Sequence, residues 1–348
     1  MKKLIAILAA IALVGAFGAS AMAADWNFYG SARVATFWED QSYDNNSAAD
    51  DEDLLWFVQG NSRVGATVKA DSVSGRFEYG TGVNLRRLYG TWDFGSGKLT
   101  AGQDYTPITV FYSGQVFDSD NGLLGQGNIY GSRRGQLRLE FGGFQIAAIQ
   151  ITGDDDRGAG DIDTYLPLME ARYSMSTDAF SFDIFGAFQQ YSIDTPPGPV
   201  DDLDVQSWAI GAGGGFNFGA GYLKASISYG ANTGDMGYFR GAKGMLNAAG
   251  NDIDDVKELQ GLVVVGFKAS DMVAFEGGVG YYKMDPDNVD LEDNDQYMGF
   301  YVQSVMTMAP GVYIVPEFGY YDKYDYGAGA INDDASYWYL GAKWQINF

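Results

Sequence analysis

Arginine recurs at one phase of four consecutive alternating segments near the start of the chain. In each segment apolar and polar residues alternate, so the four guanidinium groups point to the same face of any sheet that these segments form. Guanidinium groups aligned on neighbouring strands would attract anions through their combined positive field. The members of this arginine wall are Arg33, Arg63, Arg76 and Arg87, and Arg138 on a later segment extends it.

Carboxylates that could face the arginine wall lie in the longest stretch without alternation, residues 106–134. A loop of this length is usually functional or disordered, and its aromatic residues and scattered glycines favour an ordered one. Asp118 and Asp120 lie in its middle, and Arg133 and Arg134 end it. Carboxylates opposite an arginine wall would create a strong transverse field across a narrow, wet passage, which orients polar solutes and rejects apolar ones.

Simpler interpretations of these charges stay open. Inward charges are common in any water-filled lumen, and each arginine of the wall could merely pair with Glu78 or Glu140. The spacing Asp118-x-Asp120-x-Gly122 matches part of a calcium-binding loop, but the distal glutamate is missing and an Asx turn explains the spacing better. The sequence therefore predicts no metal site and no cofactor.

The elements that must position these charges are amphipathic strands, and the last one shows the pattern clearly. Residues 336–348 alternate strictly, with Trp338, Leu340 and Trp344 on the apolar face. A strand of about 10 residues with aromatic residues at both ends of that face is long enough to cross a bilayer at a tilt. An edge strand of a soluble sandwich could alternate in the same way, so the remaining segments decide between the two.

Comparable segments fill the chain from Trp26 onwards. About sixteen strands follow one another, and tight turns such as Asp71-Ser72 alternate with longer, often acidic loops, as bacterial outer-membrane barrels require. The acidic loops could bind divalent ions that bridge to lipopolysaccharide, or they could simply be solvated. We therefore predict an all-β fold, a transmembrane antiparallel β-barrel, as one domain over residues 24–348.

The N-terminal residues predict export. Lys2 and Lys3 precede an apolar run that ends at Phe17, and Ala21-Met22-Ala23 follows it. This order is typical of a cleaved secretory signal peptide, which we assign to residues 1–23.

Composition excludes several classes of function. Histidine is absent, which removes Ser-His-Asp triads and nearly all zinc sites, so we predict no catalytic residues and no enzyme. Cysteine is absent as well, so an exported chain must gain its stability from strand pairing and not from disulfides. The formal net charge of -23 repels nucleic acid, which we exclude as a partner.

The whole layout resembles the trimeric general porins of Gram-negative outer membranes, with their sixteen strands, signal peptide, terminal phenylalanine and longest early loop after the fifth strand. Phe348 at the end of the sequence matches the terminal signal that directs such barrels to their assembly machinery. Motifs in the first third of the chain resemble more closely the homotrimeric outer-membrane porins of sulfate- and metal-reducing bacteria. The matching segments are residues 28–34, 59–63, 76–80, 88–92 and 102–107.

This resemblance implies that residues 106–134 form the third loop, fold into the lumen and set the constriction. It implies passive diffusion of ions and small hydrophilic solutes through a homotrimer embedded in the outer membrane, against lipid bilayer and lipopolysaccharide. The second loop of general porins latches onto a neighbouring subunit. Here the corresponding connection, residues 81–84, is very short. Any trimer is therefore predicted to be held mainly by the barrel wall, where Gly30, Ala32, Gly60 and Ser62 are small.

Two other functions stay open at this point. The barrel could be a structural or scaffold protein of the envelope, although the sequence offers no plug domain to fill its lumen. It could also be a substrate-selective channel if its inward tyrosines formed a track. The acidic loops favour cations at the mouth and the arginine wall favours anions at the constriction, and from the sequence we favour cations. The tyrosines concerned are Tyr29, Tyr89, Tyr313, Tyr321 and Tyr339.

Overall fold

The structure is a computed structural model of the chain, and it describes residues 24–43, 51–151, 162–194, 202–247, 249–287, 296–323 and 335–348. These residues form sixteen antiparallel strands, each paired with its neighbours along the chain. Two of the sixteen, β2 and β8, are each interrupted and continue in a second segment. No helix among the described residues is long and apolar enough to cross a membrane. The predicted fold class, an antiparallel β-barrel of about sixteen strands, is confirmed.

The strands are β1 (Asp25–Tyr43), β2 (Asp51–Val58 and Arg63–Ala70), β3 (Val73–Gly80), β4 (Leu85–Asp93), β5 (Lys98–Tyr105), β6 (Arg133–Phe141), β7 (Phe144–Ile149), β8 (Ile162–Thr164 and Leu168–Ser176), β9 (Phe180–Ile193), β10 (Leu203–Phe218), β11 (Gly221–Ala231), β12 (Val256–Lys268), β13 (Val273–Pro286), β14 (Gln296–Ala309), β15 (Val312–Lys323) and β16 (Ala335–Asn347). A short helical turn, α1 (Phe117–Asp120), lies between β5 and β6, and the two-residue strands Met245–Leu246 and Ile253–Asp254 pair between β11 and β12.

Strands β1 and β16 close the sheet into a barrel. Val34 on β1 lies opposite Trp344 on β16, and the pairing runs along most of both strands. At the end of this seam the N–H of Gly30 donates to the carbonyl of Phe348 at 2.6 Å, and the N–H of Phe348 donates to the carbonyl of Gly30 at 3.1 Å. Closure satisfies the backbone groups that an open sheet would leave unpaired at its edges.

Period-two alternation decides which side chains face out. On the outer surface Phe28 and Trp56 are 71% and 72% exposed, as the sequence predicts for apolar positions of β1 and β2. Phe37 on β1 and Tyr339 on β16 point inwards and are fully buried. An apolar exterior around an interior of polar and tyrosine side chains is the arrangement that a barrel wall in lipid requires.

The inward tyrosines and phenylalanines are buried because two loops pack against the inner wall. The third loop, residues 106–132, contributes Tyr112, Val116 and Phe117 to one buried cluster with side chains of β1, β12, β14, β15 and β16. The sixth loop, residues 232–255, contributes Met236 and Tyr238 to a second cluster with the third loop and strands β7 to β10. The two loops therefore fill the interior beside these strands, and open space remains beside β2 to β5.

The structure corrects one predicted boundary. Arg133 and Arg134, which we assigned to the end of the long loop, are the first two residues of β6 and pair with Tyr105 and Asp104 on β5. Strand pairing therefore starts two residues earlier than the alternation of apolar residues indicates, because both positions carry charged side chains.

Candidate functional site

Three inward glutamates hold the third loop against the far wall of the barrel. Each accepts hydrogen bonds from backbone N–H groups of the loop, so the loop is fixed through its main chain as well as its side chains. The bonds run from Ile108 to Glu170 (2.8 Å), from Gly114 to Glu276 (2.7 Å), and from Val116 and Phe117 to Glu317 (2.7 and 2.9 Å). Charged acceptors make strong hydrogen bonds to amides, which favours one fixed position for the loop.

The helical turn α1 forms the tip of this loop. The ring of Phe117 stacks on Tyr339 with centroids 3.7 Å apart and meets Phe37 edge-on at 5.4 Å. Asp118 and Asp120 both have positive φ angles, 55° and 59°, which non-glycine residues adopt infrequently. The buried ring therefore anchors a tightly turned segment that presents two carboxyl groups.

The interruption of β2 receives this tip. Gln59 and Asn61 lie in the gap between the two segments of the strand, and their amide groups donate to carbonyls of the loop. The Nε2 atom of Gln59 donates to Val116 at 3.0 Å, and the Nδ2 atom of Asn61 donates to Ser119 at 2.8 Å. The side chains at the break in the strand thus bind the backbone carbonyls of the loop tip.

The loop backbone also touches the opposite wall closely. A Cβ atom at Gly127, where φ is 114°, would lie 2.5 Å from the carbonyl carbon of Gly261 on β12. The loop and the wall can approach this closely only because Gly127 lacks a side chain. The third loop is therefore held both at its tip and along its return path.

Asp120 joins the tip of the loop to the arginine wall. Its carboxylate accepts a hydrogen bond from Arg33 on β1 and lies 3.0 Å from the Nζ atom of Lys343 on β16. The structure therefore brings Arg33 and Asp120 into direct contact and does not leave them on opposite sides of a passage. Lys343 was not predicted here, because its position next to Arg33 depends on the closure of the barrel.

Arg63 belongs to a cluster around Glu78, on the inner face of β2 to β4. Glu78 accepts from Arg86 at 2.8 Å and from Tyr29 at 2.8 Å, while Arg63 lies 3.8 Å away. Arg76 stacks over Tyr29 at 5.1 Å and forms no ion pair within the part of the chain that the structure describes. The single negative charge of Glu78 thus faces two positive charges, those of Arg63 and Arg86, and cannot neutralise both.

Arg86 is a member of the arginine wall that alternation misses. Two consecutive residues of one strand normally face opposite sides, so the predicted inward position of Arg87 would place Arg86 outside. A β-bulge intervenes: Glu78 pairs with Arg87, but the next residue, Tyr79, pairs with Leu85. The extra residue lets both arginines point inwards.

Arg87 and Arg138 share one carboxylate on the same side of the lumen. The Nε atom of Arg87 donates to Asp104 at 2.6 Å, and the Nη2 atom of Arg138 lies 3.4 Å from the same side chain. Arg138 also pairs with Glu140 at 2.8 Å, as the simpler interpretation of the sequence proposed. Arg87 lies over the ring of Tyr105 at 5.2 Å. The wall is therefore a network of partly neutralised arginines.

Asp118, Arg133 and Arg134 have separate environments. Burial removes part of the hydration of the Asp118 carboxyl group, which raises its pKa. Arg133 stacks over Tyr105 at 5.5 Å. Arg134 is buried and donates from Nη2 to the carbonyl of Gly237 at 2.6 Å. Arg134 therefore binds the sixth loop and does not face the open space.

The sixth loop, which the sequence did not single out, makes contacts of the same kind as the third. Glu258 on β12 accepts from the backbone N–H groups of Thr233 and Ala242 at 3.0 and 2.9 Å. The hydroxyl of Tyr238 donates to Glu170 at 2.7 Å, and burial beside that carboxylate raises its pKa well above the usual range. Glu170 therefore holds both loops at once.

A cavity of about 600 Å³ lies between the third loop and the arginine wall. Four cationic side chains line it against one carboxylate, that of Asp120. Its aromatic residues belong to the loop and to the end of β5, whereas the predicted inward tyrosines Tyr321 and Tyr339 are buried beneath the loop and form no open track. The cationic residues are Arg63, Arg86, Arg133 and Lys343, and the aromatic ones are Tyr105, Phe111 and Tyr130.

No family model matches the chain, and no curated protein matches it. Solved structures do resemble it. The outer membrane channel DcaP of Acinetobacter baumannii has a TM-score of 0.73 and 18% identity, and the match covers 94% of this chain and 99% of that one. The anion-selective porin of Comamonas acidovorans has a TM-score of 0.61 and 14% identity over 93% and 100% of the two chains. OmpT, an outer membrane protein of Vibrio cholerae, has a TM-score of 0.60 and 15% identity over 94% and 99%.

Proposed function

We propose that this chain is an outer-membrane porin, a water-filled channel for the passive diffusion of ions and small hydrophilic solutes. The observation that carries the proposal is a charged cavity of about 600 Å³ inside a closed barrel whose outer surface is apolar. An apolar exterior suits lipid, and a polar interior suits water and solutes. The solved structures of porins and an outer membrane channel with the same fold support it.

The assembly and location of the protein belong to the same proposal. Residues 1–23 lie outside the described residues and are proposed to be a signal peptide removed during export, leaving residues 24–348 as the barrel. One solved structure of OmpT is of a trimer, which supports a homotrimer here. The connection between β3 and β4 is only residues 81–84, so the barrel wall would supply the subunit contacts. Insertion by the outer-membrane assembly machinery and kinship with porins of sulfate- and metal-reducing bacteria stay part of this proposal.

The lining of the cavity supports anion preference at the constriction. Four cationic side chains line it against the single carboxylate of Asp120, and focused positive potential in a narrow passage raises the local concentration of anions. This proposal reverses the preference for cations that the acidic loops suggested from the sequence. No residue is assigned a catalytic role.

Single-channel recording in a planar bilayer tests the function. Purified protein is added under a salt gradient, and conductance and reversal potential are measured. Openings in groups of three, with conductance proportional to salt, are expected of a water-filled trimer, and the sign of the reversal potential is expected to indicate anions. A folded barrel that never opens would contradict the proposal and favour a scaffold role.

A further inference from the structure

A cluster of aromatic rings borders the cavity where β5 meets the third loop. The ring centroids of Tyr105, Phe111 and Tyr130 lie 5.4 to 6.3 Å from one another, and all three residues line the cavity. Phe111 is 48% exposed. Leaving a phenyl ring in contact with water costs free energy, so its exposure inside the lumen indicates a surface available to an apolar part of a solute.

Two guanidinium groups on the same cavity have weak compensation. Arg133 lines the cavity and forms no ion pair among the described residues. Arg63 has a single ion pair in that part of the chain, a 3.8 Å contact with Glu78, which Arg86 already binds at 2.8 Å. Donors in this state favour an anionic group that can accept charge-assisted hydrogen bonds.

We propose that this cavity is a binding subsite for small organic anions that carry a flat, unsaturated ring. The ring packs against the cluster around Phe111, and the anionic group binds Arg63 and Arg133. The inference rests on the proposed porin function, because it assigns a solute class to the same passage. Chloride can use only the arginines, and an aliphatic carboxylate lacks a π face, so the subsite selects among anions by their ring.

Two carboxylates of similar size and equal charge test the subsite. Benzoate has an aromatic ring and cyclohexanecarboxylate has a saturated one. Each is titrated into the chloride current of single channels, and the half-blocking concentration is measured. Benzoate is expected to block at a concentration about threefold to tenfold lower, because ring stacking adds to the shared carboxylate contacts.

Variants assign the difference to the cluster. Phe111→Leu keeps an apolar side chain without a ring and is expected to abolish the preference for benzoate. Arg133→Gln is expected to raise the half-blocking concentration of both carboxylates. The matched control is Phe216→Leu, on the outer face of β10 and 53% exposed, which is expected to retain the preference.

Each contrary result has a distinct meaning. Equal blocking by both carboxylates, in channels that conduct chloride, overturns the subsite and leaves the porin function standing. A preference for benzoate that survives Phe111→Leu overturns it as well, since the ring would then bind elsewhere. A barrel that conducts no chloride contradicts the porin function itself, and the subsite with it.

Discussion

The three glutamates that bind the backbone of the third loop, Glu170, Glu276 and Glu317, form no ion pair among the described residues. Glu317 accepts from two backbone N–H groups of the loop and from the hydroxyl of Tyr339 at 3.0 Å. A buried carboxylate that accepts from three donors is well satisfied. If it loses one acceptor atom, buried donors are left without a hydrogen-bond partner, because water cannot reach them. The position of the loop tip therefore depends strongly on this one side chain.

The variant Glu317→Gln is expected to loosen the loop tip. One oxygen of the carboxylate becomes an NH₂ group, which cannot accept from a backbone N–H, at a cost of about 1–3 kcal/mol. Open-channel current noise is expected to rise as the tip moves in the passage. Glu140→Gln is the control, because Glu140 pairs with Arg138 at 2.8 Å and contacts neither loop through any described hydrogen bond. Equally low current noise in both variants would contradict the role of Glu317 in holding the loop tip.

Two single substitutions of opposite charge are expected to shift ion selectivity in opposite directions. Arg63→Gln removes a cation from the cavity lining and should favour cations. Asp120→Asn removes the carboxylate that neutralises Arg33 and Lys343 and should favour anions. Each permeability ratio is expected to change about twofold, the size expected for one charge several ångströms from an ion in water. Reversal potentials measure both, and an unchanged value for both variants would refute the role of the arginine wall.

Selectivity is expected to depend on pH through Asp118. The folded protein raises the pKa of this group, so its carboxyl group becomes neutral at a higher pH than an ordinary aspartate. Its charge therefore costs stability above the folded pKa, and that cost disappears as the pH falls. Asp118 lies at the tip of the third loop beside Asp120, so anion preference should increase as the pH falls through its raised pKa in the natural protein, and increase less in Asp118→Asn. Parallel pH profiles of the reversal potential in the two proteins would exclude Asp118 as the source.

From the sequence, the face to which a side chain points could be predicted better than the residue that it contacts. Alternation alone orients Arg33 and Arg63, because successive residues of a strand face opposite sides. It fails at Arg86, because a β-bulge in β4 is a local irregularity with no clear sequence signal. It also cannot pair Lys343 with Asp120, since that contact needs the closed barrel and the folded loop together.

At the scale of elements, the third and sixth loops form one inner layer. The N–H of Phe239 in the sixth loop donates to the carbonyl of Tyr130 in the third at 3.1 Å. Arg134 and Glu170 hold the sixth loop from the barrel wall. The width of the passage therefore depends on both loops, because the sixth supports the return path of the third.

Shortening the sixth loop is expected to widen the passage. Replacing residues 234–243 with a short Gly-Ser link removes Tyr238 and the contact to Tyr130, so the third loop loses its support. Single-channel conductance should increase, because current through a narrow pore rises with its cross-section. Removal of residues 249–252, which are mostly exposed, is the control and should leave conductance unchanged. An unaltered conductance in the first variant would show that the third loop holds its position alone.

The third loop could be recognised from the sequence, whereas the sixth could not. The third stands out because it is long and rich in aromatic residues. The sixth resembles the external loops in its aspartates and glycines, and its attachment to Glu258 and Glu170 becomes visible only when distant strands are brought together. Inward folding of a loop leaves a weak signal when its anchors are single glutamates on the wall.

For the whole molecule, strand number and order were predictable because alternation and tight turns recur along the entire chain. The register of the closing seam was not, since no turn connects β1 to β16. In the structure Val34 lies opposite Trp344, and Trp38 lies opposite Leu340. A shift by one residue would exchange the inner and outer faces. The apolar exterior therefore excludes shifts by an odd number of residues but does not distinguish registers that differ by two.

A disulfide across the seam tests this register. The chain has no cysteine, so Val34→Cys with Trp344→Cys introduces a single pair at directly opposed positions, which suits disulfide geometry. The oxidised barrel should keep its folded mobility in detergent gels at higher temperature than the reduced one, with a stabilisation of about 2–4 kcal/mol. The control pairs Val34→Cys with Leu340→Cys, about 13 Å away along the strand. A bond in the control and none in the test pair would refute the register.

The seam also determines when the barrel can be finished. β1 is the first strand of the barrel to be synthesised and β16 is the last. All the other strand pairs can therefore form before β1 pairs with β16. During that interval both outer edges of the sheet have free hydrogen-bonding groups, which invite pairing with other chains. A chain that stops before β16 keeps those edges permanently. Truncation of this protein during translation would therefore yield sheets that aggregate through their edges. Chaperones that cover strand edges would determine what fraction of the protein reaches the membrane.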